Sequence, residues 1–385
     1  MRHHPTSSTR SAMKPAISSP AHPDADGAST PPLRARLGEL ASAFDEASDA
    51  AGLIERQYVL AGSRIRLRLA GPALADVVTP AFAHLEETLE KPPALTVSVW
   101  DSASTGTARP ALAPAEPAVA DVDPANPGPS YFHAEDDVQA LQQPVPDILT
   151  ALSAGAGEAW YWVRDGRRLP SWDHAAPFRH LLSWWLALRG CQQVHGGAVG
   201  TESGGVLLVG RGGSGKSTAT LATLLEPRLR YAGDDYVALE PGPQPWIHSL
   251  YCSGKLHPEQ LWRLPHLAPA LANADRLDRE KAIFYIDRAF PGRAISGFPL
   301  RAVVLPRVCP EPGVRVVPAS RALALTALAP STIFQLHPPQ STGFAEMAQL
   351  VAQVPAFVLE MGPEVSEVPG AIRGLLEELG SGGTT

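Results

Sequence analysis

The sequence is poor in cysteine, and its few cysteines form no recognisable framework. Its 385 residues contain three of them, Cys191, Cys252 and Cys309, which lie far apart and match no CxxC or cysteine–histidine spacing. An odd, scattered set of this kind predicts a reducing compartment and offers no zinc motif. We interpret all three side chains as small core residues, a common role of unpaired cysteine.

Long apolar runs and an excess of positive charge are also missing. The longest candidate run, residues 181–188, lies between Arg179 and Arg189 and is too short for a membrane helix. The first residues lack the apolar core of a signal peptide. The formal net charge of -7 argues against nucleic acid as a partner. We therefore expect a cytoplasmic protein that has neither a membrane nor a nucleic-acid partner.

The remaining composition is typical of a globular protein with more than one domain. Hydrophobic residues make up 44% of the chain and charged residues 18%, and the length allows two domains. Residues 1–30 carry almost no large apolar side chains, which predicts a disordered tail. We expect a smaller accessory α/β domain over 31–172, with a Pro- and Ala-rich loop at 102–130. A second α/β domain is expected over 173–380.

Apolar periodicity places secondary structure within these domains. Helical spacing predicts helices over 33–50, 177–189 and 258–280. Alternation of apolar residues and arginine predicts a hairpin at 58–69. Residues 194–199 are predicted to form one short strand, which turns back into the next strand.

The strongest local pattern is VLLVGRGGSGKST at residues 206–218. It fits the P-loop pattern G-x-x-x-x-G-K-[ST] in full, and the four apolar residues ahead of Gly210 predict a buried strand. Glycines in the loop let backbone N–H groups turn towards an anion, and the following helix N-terminus favours phosphate. Lys216 supplies charge for the β- and γ-phosphates and Ser217 supplies a hydroxyl for Mg²⁺. The residues predicted to bind the nucleoside triphosphate are Gly210, Gly212, Gly213, Ser214, Gly215, Lys216, Ser217 and Thr218.

Two adjacent carboxylates, Asp234 and Asp235, follow Lys216, and Asp234 is 18 residues after it. This distance leaves room for a helix, a turn and a strand that returns beside the phosphates. Because adjacent strand residues face opposite ways, the pair works best at a strand end or in a turn. One carboxylate can then hold Mg²⁺ while the other accepts a proton from an attacking hydroxyl.

Three further residues carry weaker predictions. His195 precedes the P-loop strand and is a candidate for the phosphate pocket, although a lone histidine is often a core residue. Phosphoryl transfer requires extra positive charge on the transferring group, which Lys255 and Arg293 could supply as substrate or phosphate contacts. A surface role is the alternative for both of these cations.

Three motifs in a fixed order resemble HPr kinase/phosphorylase and its relatives, among them kinases of lasso-peptide precursors. The motifs are His195-Gly196, the P-loop from Gly210 to Ser217, and Gly233-Asp234-Asp235, and the resemblance covers residues 177–360. It implies a phosphoenolpyruvate-carboxykinase-like P-loop kinase domain, preceded here by the smaller α/β domain. The family's downstream Glu-x-Arg-Gly motif, which serves the reverse reaction, has no match, so we expect neither phosphorylase activity nor HPr as the substrate.

The resemblance also implies an activity and a role for each matching residue. Phosphoryl transfer would run from ATP to a serine hydroxyl, with Asp234 as general base. Asp235 and Ser217 would serve Mg²⁺, His195 would line the phosphate pocket, and Lys216 would hold the β-phosphate. The partner would be a peptide or small protein with an acceptor serine, such as a ribosomal natural-product precursor of the lasso type, and a homo-oligomer is compatible with this interpretation.

Two other hypotheses remain open at the level of sequence. The first is a nucleotide-dependent regulatory ATPase or switch without a hydroxyl acceptor, and the second is a degenerate nucleotide-binding scaffold. A switch of the usual kind would place several consecutive apolar residues ahead of its metal-binding acid, whereas Arg230-Tyr231-Ala232-Gly233 precede Asp234. This difference favours the kinase, and the intact Lys216 and Ser217 argue against the scaffold.

Overall fold

The computed structural model describes residues 32–88, 90–110, 130–333 and 343–381. The residues from Pro32 onward pack together as one unit. The predicted tail at 1–30 and residues 111–129 of the predicted loop lie outside the described residues. The described part is a mixed α/β structure with a seven-stranded sheet, a nine-stranded sheet and a two-stranded sheet.

The seven-stranded sheet is built entirely from the first half of the chain, in the strand order β1-β2-β3-β7-β6-β5-β4. Strand β3 runs parallel to both of its neighbours, and the other pairs are antiparallel. The elements in chain order are α1 (Leu33–Ala51), β1 (Leu53–Leu60), β2 (Ser63–Ala70), α2 (Pro72–Val78), β3 (Leu95–Asp101), α3 (Ser102–Thr105), β4 (Tyr131–Glu135), β5 (Val138–Gln143), β6 (Ile148–Ser153) and β7 (Glu158–Val163).

The second half of the chain forms the other two sheets. The elements are α4 (Ser171–Ala175), α5 (Arg179–Ala187), β8 (Gln192–His195), β9 (Gly197–Thr201), β10 (Gly204–Leu208), α6 (Lys216–Ala222), β11 (Arg230–Gly233), β12 (Tyr236–Glu240), β13 (Trp246–Ser249), β14 (Ser253–Leu256), β15 (Ala282–Tyr285), α7 (Ile286–Ala289), β16 (Gly297–Val308), β17 (Val314–Ala319), α8 (Arg321–Ile333), α9 (Gly343–Gln353), β18 (Ala356–Met361) and α10 (Val368–Ser381). The large sheet has the order β11-β9-β10-β16-β13-β12-β8, and β18 adds to it between β16 and β17. Strands β14 and β15 pair separately.

Strand β10, which leads into the P-loop, lies inside the large sheet between β9 and β16. Its apolar residues are fully buried because helices cover both faces of the sheet. Val206 and Leu208 pack in one cluster with α6 and α10, whereas Leu207 packs in another cluster with α8 and α9. The predicted buried strand is thereby confirmed, and it gives the loop a rigid base.

Two predicted elements differ from the structure. The predicted helix at 258–280 is instead three short 3-10 segments, Pro258–Arg263, Pro265–Ala270 and Ala274–Arg276. Prolines interrupt the pattern, because proline lacks an N–H and disfavours the α conformation in the residue before it.

The single strand predicted at 194–199 is broken at Gly196. Before this glycine, β8 pairs with β12; after it, β9 pairs with β10 and β11. A Cβ atom at Gly196 would lie 2.8 Å from the carbonyl oxygen of Leu208, so the close backbone approach needs glycine here. The break leaves His195 at the end of β8.

Within the described residues, no helix is both long and apolar enough to cross a membrane.

Candidate active site

The P-loop joins β10 to α6, and Gly210, Gly213 and Gly215 have the positive φ angles that the glycine pattern predicts, whereas Gly212 does not. Gly213 and Gly215 have φ angles of 80° and 97°, in the left-handed region. A Cβ atom at Gly215 would also lie 2.6 Å from the Cε atom of Met361. The Met361 side chain is flexible and can shift, so the loop depends on glycine at this position for its backbone conformation.

Lys216 is buried at the start of α6, and its ammonium group points back into the loop. Its Nζ donates hydrogen bonds to the carbonyl oxygens of Gly210, at 2.6 Å, and Arg211, at 3.4 Å. Burial lowers the pKa of Lys216, and the charges of Asp234 and Asp235 oppose that change. Ser214 Oγ is also buried, with no hydrogen-bond partner in the described part of the chain. A buried cation and an unpartnered hydroxyl at a helix N-terminus fit an anion such as phosphate.

The two carboxylates lie in a turn between strands, as the sequence predicts. Strand β11 ends at Gly233 and β12 begins at Tyr236, so Asp234 and Asp235 are the two linking residues. The residue that follows β8 holds this turn in place, because the N–H of Gly196 donates a hydrogen bond of 3.1 Å to the carbonyl oxygen of Asp235. This contact places the break after His195 directly beside the acid pair.

Asp234 is a buried carboxylate, and only one of its two oxygens accepts a well-formed hydrogen bond from the described residues. It is 2% exposed, and its Oδ2 accepts a hydrogen bond of 3.0 Å from the backbone N–H of Lys255. Its Oδ1 has no well-formed hydrogen bond from any described residue. Burial and the neighbouring charge of Asp235 raise the pKa of Asp234 to about 6, although interactions with the Lys255 N–H and the Ser217 side chain oppose this.

Asp235 has the opposite electrostatic environment. Its Oδ2 forms an ion pair with Lys255 Nζ, and its Oδ1 lies 3.4 Å from His195 Nε2. Burial alone would raise the pKa of Asp235, but Lys255 and His195 together hold it well below its usual range. Burial lowers the pKa of His195, against the opposing effect of Asp235. The neutral form of His195 is therefore favoured beside the ionised form of Asp235.

A cavity of about 590 Å³ collects most of these groups. Its lining includes the P-loop from Gly212 to Thr218, together with His195, Asp235 and Lys255. It also includes residues that the sequence analysis did not identify as site residues, among them His257, Glu259, Gln260, Arg263 and Lys281. Lys281 reaches the cavity because β15 pairs with β14, which carries Lys255. Nothing in the local sequence indicates this pairing.

Arg293, predicted as a substrate or phosphate contact, lies elsewhere. Its guanidinium donates to the carbonyl oxygens of Thr223, Leu224, Glu226 and Leu229. These carbonyls follow the last turn of α6, at the opposite end from the P-loop. Arg293 therefore satisfies the free carbonyl groups of a helix end, where cations are favoured. Its predicted role at the phosphates is corrected accordingly.

A second cavity, of about 1010 Å³, lies against the P-loop residues Val209 to Ser214. Its lining is mainly apolar, with Leu305, Val308, Leu323 and Val358, and it also includes Arg211 and Arg307. The loop is thus flanked by one charged cavity and one mainly apolar cavity. Such a pair of neighbouring spaces suits a ligand that is ionic at one end and apolar at the other.

Comparison with known proteins adds little to this description. No protein-family model and no curated protein matches the chain. Among solved structures, the HPr(Ser) kinase/phosphatase from Coxiella burnetii is similar over 49% of this chain and 95% of its own, with 12% identity and a TM-score of 0.26. A TM-score this low carries no argument, so any functional conclusion rests on the site itself.

Proposed function

We propose that this protein is an ATP- and Mg²⁺-dependent kinase that transfers the γ-phosphoryl group to a serine hydroxyl of a peptide or small protein. The observation that carries the proposal is the buried Asp234, whose pKa is raised to about 6 and whose Oδ1 has no well-formed hydrogen bond from a described residue. The Asp234 side chain lies beside Ser217 of a complete P-loop. The fold would be a phosphoenolpyruvate-carboxykinase-like core, and a ribosomal peptide precursor of the lasso type is the acceptor that we favour.

The P-loop residues fit a nucleoside triphosphate. The loop amides and Lys216 would hold the phosphates, and the unpartnered Ser214 hydroxyl offers a further donor. The apolar cavity beside the loop would take the purine and the charged cavity would take the phosphates. Lys216 and Lys255 would then neutralise charge that builds up during transfer.

The acid pair divides the remaining work between a base and a metal ligand. Asp234, with its raised pKa, is ionised at neutral pH yet basic enough to take the proton of the acceptor hydroxyl. Asp235 and Ser217 supply the carboxylate and hydroxyl oxygens that Mg²⁺ prefers. Bound Mg²⁺ would neutralise phosphate charge. His195 and Lys255 would keep Asp235 ionised and oriented.

One observation supports an exchange of these two roles. The Ser217 side chain interacts with Asp234 rather than with Asp235, and Asp235 is the acid that lines the charged cavity. In this second assignment Asp234 and Ser217 hold the metal while Asp235 takes the proton. Replacing each acid by asparagine separates the assignments, because loss of the base lowers kcat whereas loss of the metal ligand raises the Mg²⁺ concentration required.

A regulatory ATPase is the second candidate function. The strand that precedes Asp234 is buried, with Tyr231 and Ala232 at most 1% exposed. A buried strand ahead of the acid is the arrangement that such a switch requires. The sequence argument against the switch is therefore weaker in three dimensions.

Intact-mass analysis of candidate acceptors distinguishes the two functions. The full chain is incubated with Mg-ATP and the small peptide encoded nearest its gene, in parallel with Asp234→Asn and the exposed control Asp278→Asn. We expect one phosphate on the peptide with the native chain and the control, and at least a hundredfold less with Asp234→Asn. ATP turnover that is equal in all three samples, with no phosphate on any acceptor, would support the ATPase instead.

A further inference from the structure

Three metal-ligating side chains meet at a second place in the large sheet. Glu240 ends β12, the central strand of three, while Cys191 directly precedes β8 on one side and His248 lies in β13 on the other. Leu239 pairs with Gln192, and Ala238 pairs with His248. Glu240 is therefore opposite Cys191 and diagonal to His248, and alternation along each strand brings all three side chains to one face.

The ligand atoms are close enough to share one ion. The Cys191 Sγ, a Glu240 carboxylate oxygen and a His248 ring nitrogen all lie within 4.8 Å of one another. His248 Nε2 is 2.7 Å from Glu240 Oε2. Within the described residues this is the one group of at least three such side chains with that spacing.

The cluster is separate from the proposed active site. His195 ends β8 and Asp235 precedes β12, whereas Cys191 and Glu240 lie at the other ends of the same strands. Cys191 and His195 are four positions apart, which corresponds to roughly 13 Å of extended chain. The proposed phosphoryl transfer uses none of the three cluster residues.

The buried Cys191 thiol lies beside the carboxylate of Glu240. Burial and the charge of Glu240 raise the pKa of Cys191 to about 11, with Arg189 opposing them. A divalent cation would reverse this balance, because a coordinated thiol is deprotonated. The Glu240 side chain is 56% exposed, so the carboxylate end of the cluster is open to solvent.

We propose that Cys191, Glu240 and His248 form a binding site for a borderline divalent cation of the Zn²⁺ type. Thiolate, imidazole and carboxylate are the three ligand classes that Zn²⁺ takes in proteins, and a three-ligand site leaves one position for water. The combination is too soft for Mg²⁺, which prefers oxygen ligands. On binding, the Cys191 thiol would lose its proton to solvent and His248 would present Nε2 to the ion. The proposal is independent of the kinase function.

Cobalt serves as the probe, because Co²⁺ bound to a thiolate gives a sulfur-to-metal charge-transfer absorption that oxygen and nitrogen ligands do not give. Metal-free full-length protein is titrated with Co²⁺ and then with Zn²⁺, without nucleotide. We expect one Co²⁺ per chain with the thiolate absorption, and its displacement by Zn²⁺. Any Co²⁺ held at the P-loop acids would lack this absorption.

Variants identify the ligands. Cys191→Ser should abolish the thiolate absorption, and His248→Gln should weaken Co²⁺ binding at least about tenfold, since even neighbours of metal ligands cost that much when replaced. Cys309→Ser is the matched control, because Cys309 lies outside the cluster, and it should bind as the native chain does. If Cys191→Ser does not fold, as judged by circular dichroism, His248→Gln decides. The proposal is overturned if native protein shows no saturable thiolate absorption. It is also overturned if Cys309→Ser removes the absorption, or if a folded Cys191→Ser or His248→Gln variant retains it at native affinity.

Discussion

At the scale of single residues, the site depends on the difference between two adjacent carboxylates. Asp234 and Asp235 are neighbours in the chain, yet burial raises the pKa of one, while Lys255 and His195 hold the pKa of the other well below its usual range. Groups whose environments separate their pKa values in this way commonly take different roles in acid–base chemistry. The contrast can be tested through both activity and stability.

The first prediction concerns pH and activity. A base with a pKa of about 6 is protonated and inactive below that value, so kcat/KM should fall about tenfold for each unit below pH 6 and level off above it. The measurement is the pH profile of peptide phosphorylation at saturating Mg²⁺. The acid limb should persist in His195→Gln. If the loss of activity at low pH is absent in His195→Gln, or is centred near the ordinary aspartate pKa, the assignment of Asp234 as the base is contradicted.

The second prediction concerns stability. Because its folded pKa is raised, ionised Asp234 destabilises the native state above the unfolded pKa, and this penalty disappears as pH falls below about 4. Asp234→Asn should therefore raise the free energy of unfolding at pH 7, by at most about 3 kcal/mol. Asp235→Asn should lower it by about 3 kcal/mol, because Lys255 loses its partner. Denaturant unfolding at pH 7 and pH 4 provides the measurement, and changes of the same sign in both variants would refute the contrast.

At the scale of elements, the strand–loop–helix unit around Lys216 depends on the conformation of the P-loop. Gly215 has a φ angle of 97°, whereas a Cβ atom at Gly212 would have no neighbour within 4 Å and its φ angle is not positive. The two glycines therefore form a matched pair. Alanine at Gly215 has to adopt a left-handed conformation, which costs about 1–2 kcal/mol.

The third prediction compares these two glycines. Gly215→Ala should weaken ATP binding about tenfold, because the loop must distort away from the conformation that directs its N–H groups inwards. Gly212→Ala should bind ATP within about twofold of the native chain. Calorimetric titration with Mg-ATP measures both affinities. Equal losses in the two variants would mean that the loop conformation is not what limits binding.

The elements also indicate which parts of the site the sequence could predict. The P-loop and the Asp234–Asp235 turn were predictable because each is set by contiguous residues. Gly196, Lys281 and Arg293 were not, since their roles depend on contacts across the fold. Gly196 faces the Leu208 carbonyl, Lys281 reaches the cavity through the pairing of β14 with β15, and Arg293 meets carbonyls some 64–70 residues away. The cluster of Cys191, Glu240 and His248 likewise has no motif spacing, because its members lie on three separate segments of the chain.

At the scale of the whole molecule, the two large sheets share a hydrophobic core. One cluster of buried residues contains Leu67 and Val97 of the first sheet and also Ala238 of the second, with α5 between them. The ring of Phe82 stacks on that of Phe178, with 5.9 Å between the ring centroids, and its centroid lies 5.4 Å from that of Tyr251. A predicted boundary between residues 172 and 173 therefore crosses a packed interior, which makes independent unfolding of the two parts unfavourable.

The fourth prediction is that this shared core makes unfolding cooperative and that Phe82 is one of the residues that couples the sheets. In native protein, peptides from β3 and β10 should lose hydrogen-exchange protection at the same denaturant concentration. Phe82→Ala should cost about 3–5 kcal/mol and cause β3 to lose protection before β10. Phe44, equally buried, packs in a cluster confined to the first sheet. Phe44→Ala should therefore lower stability by a similar amount while the two peptides still open together. Separate transitions in the native chain would instead establish two independent domains and support the boundary at residue 172.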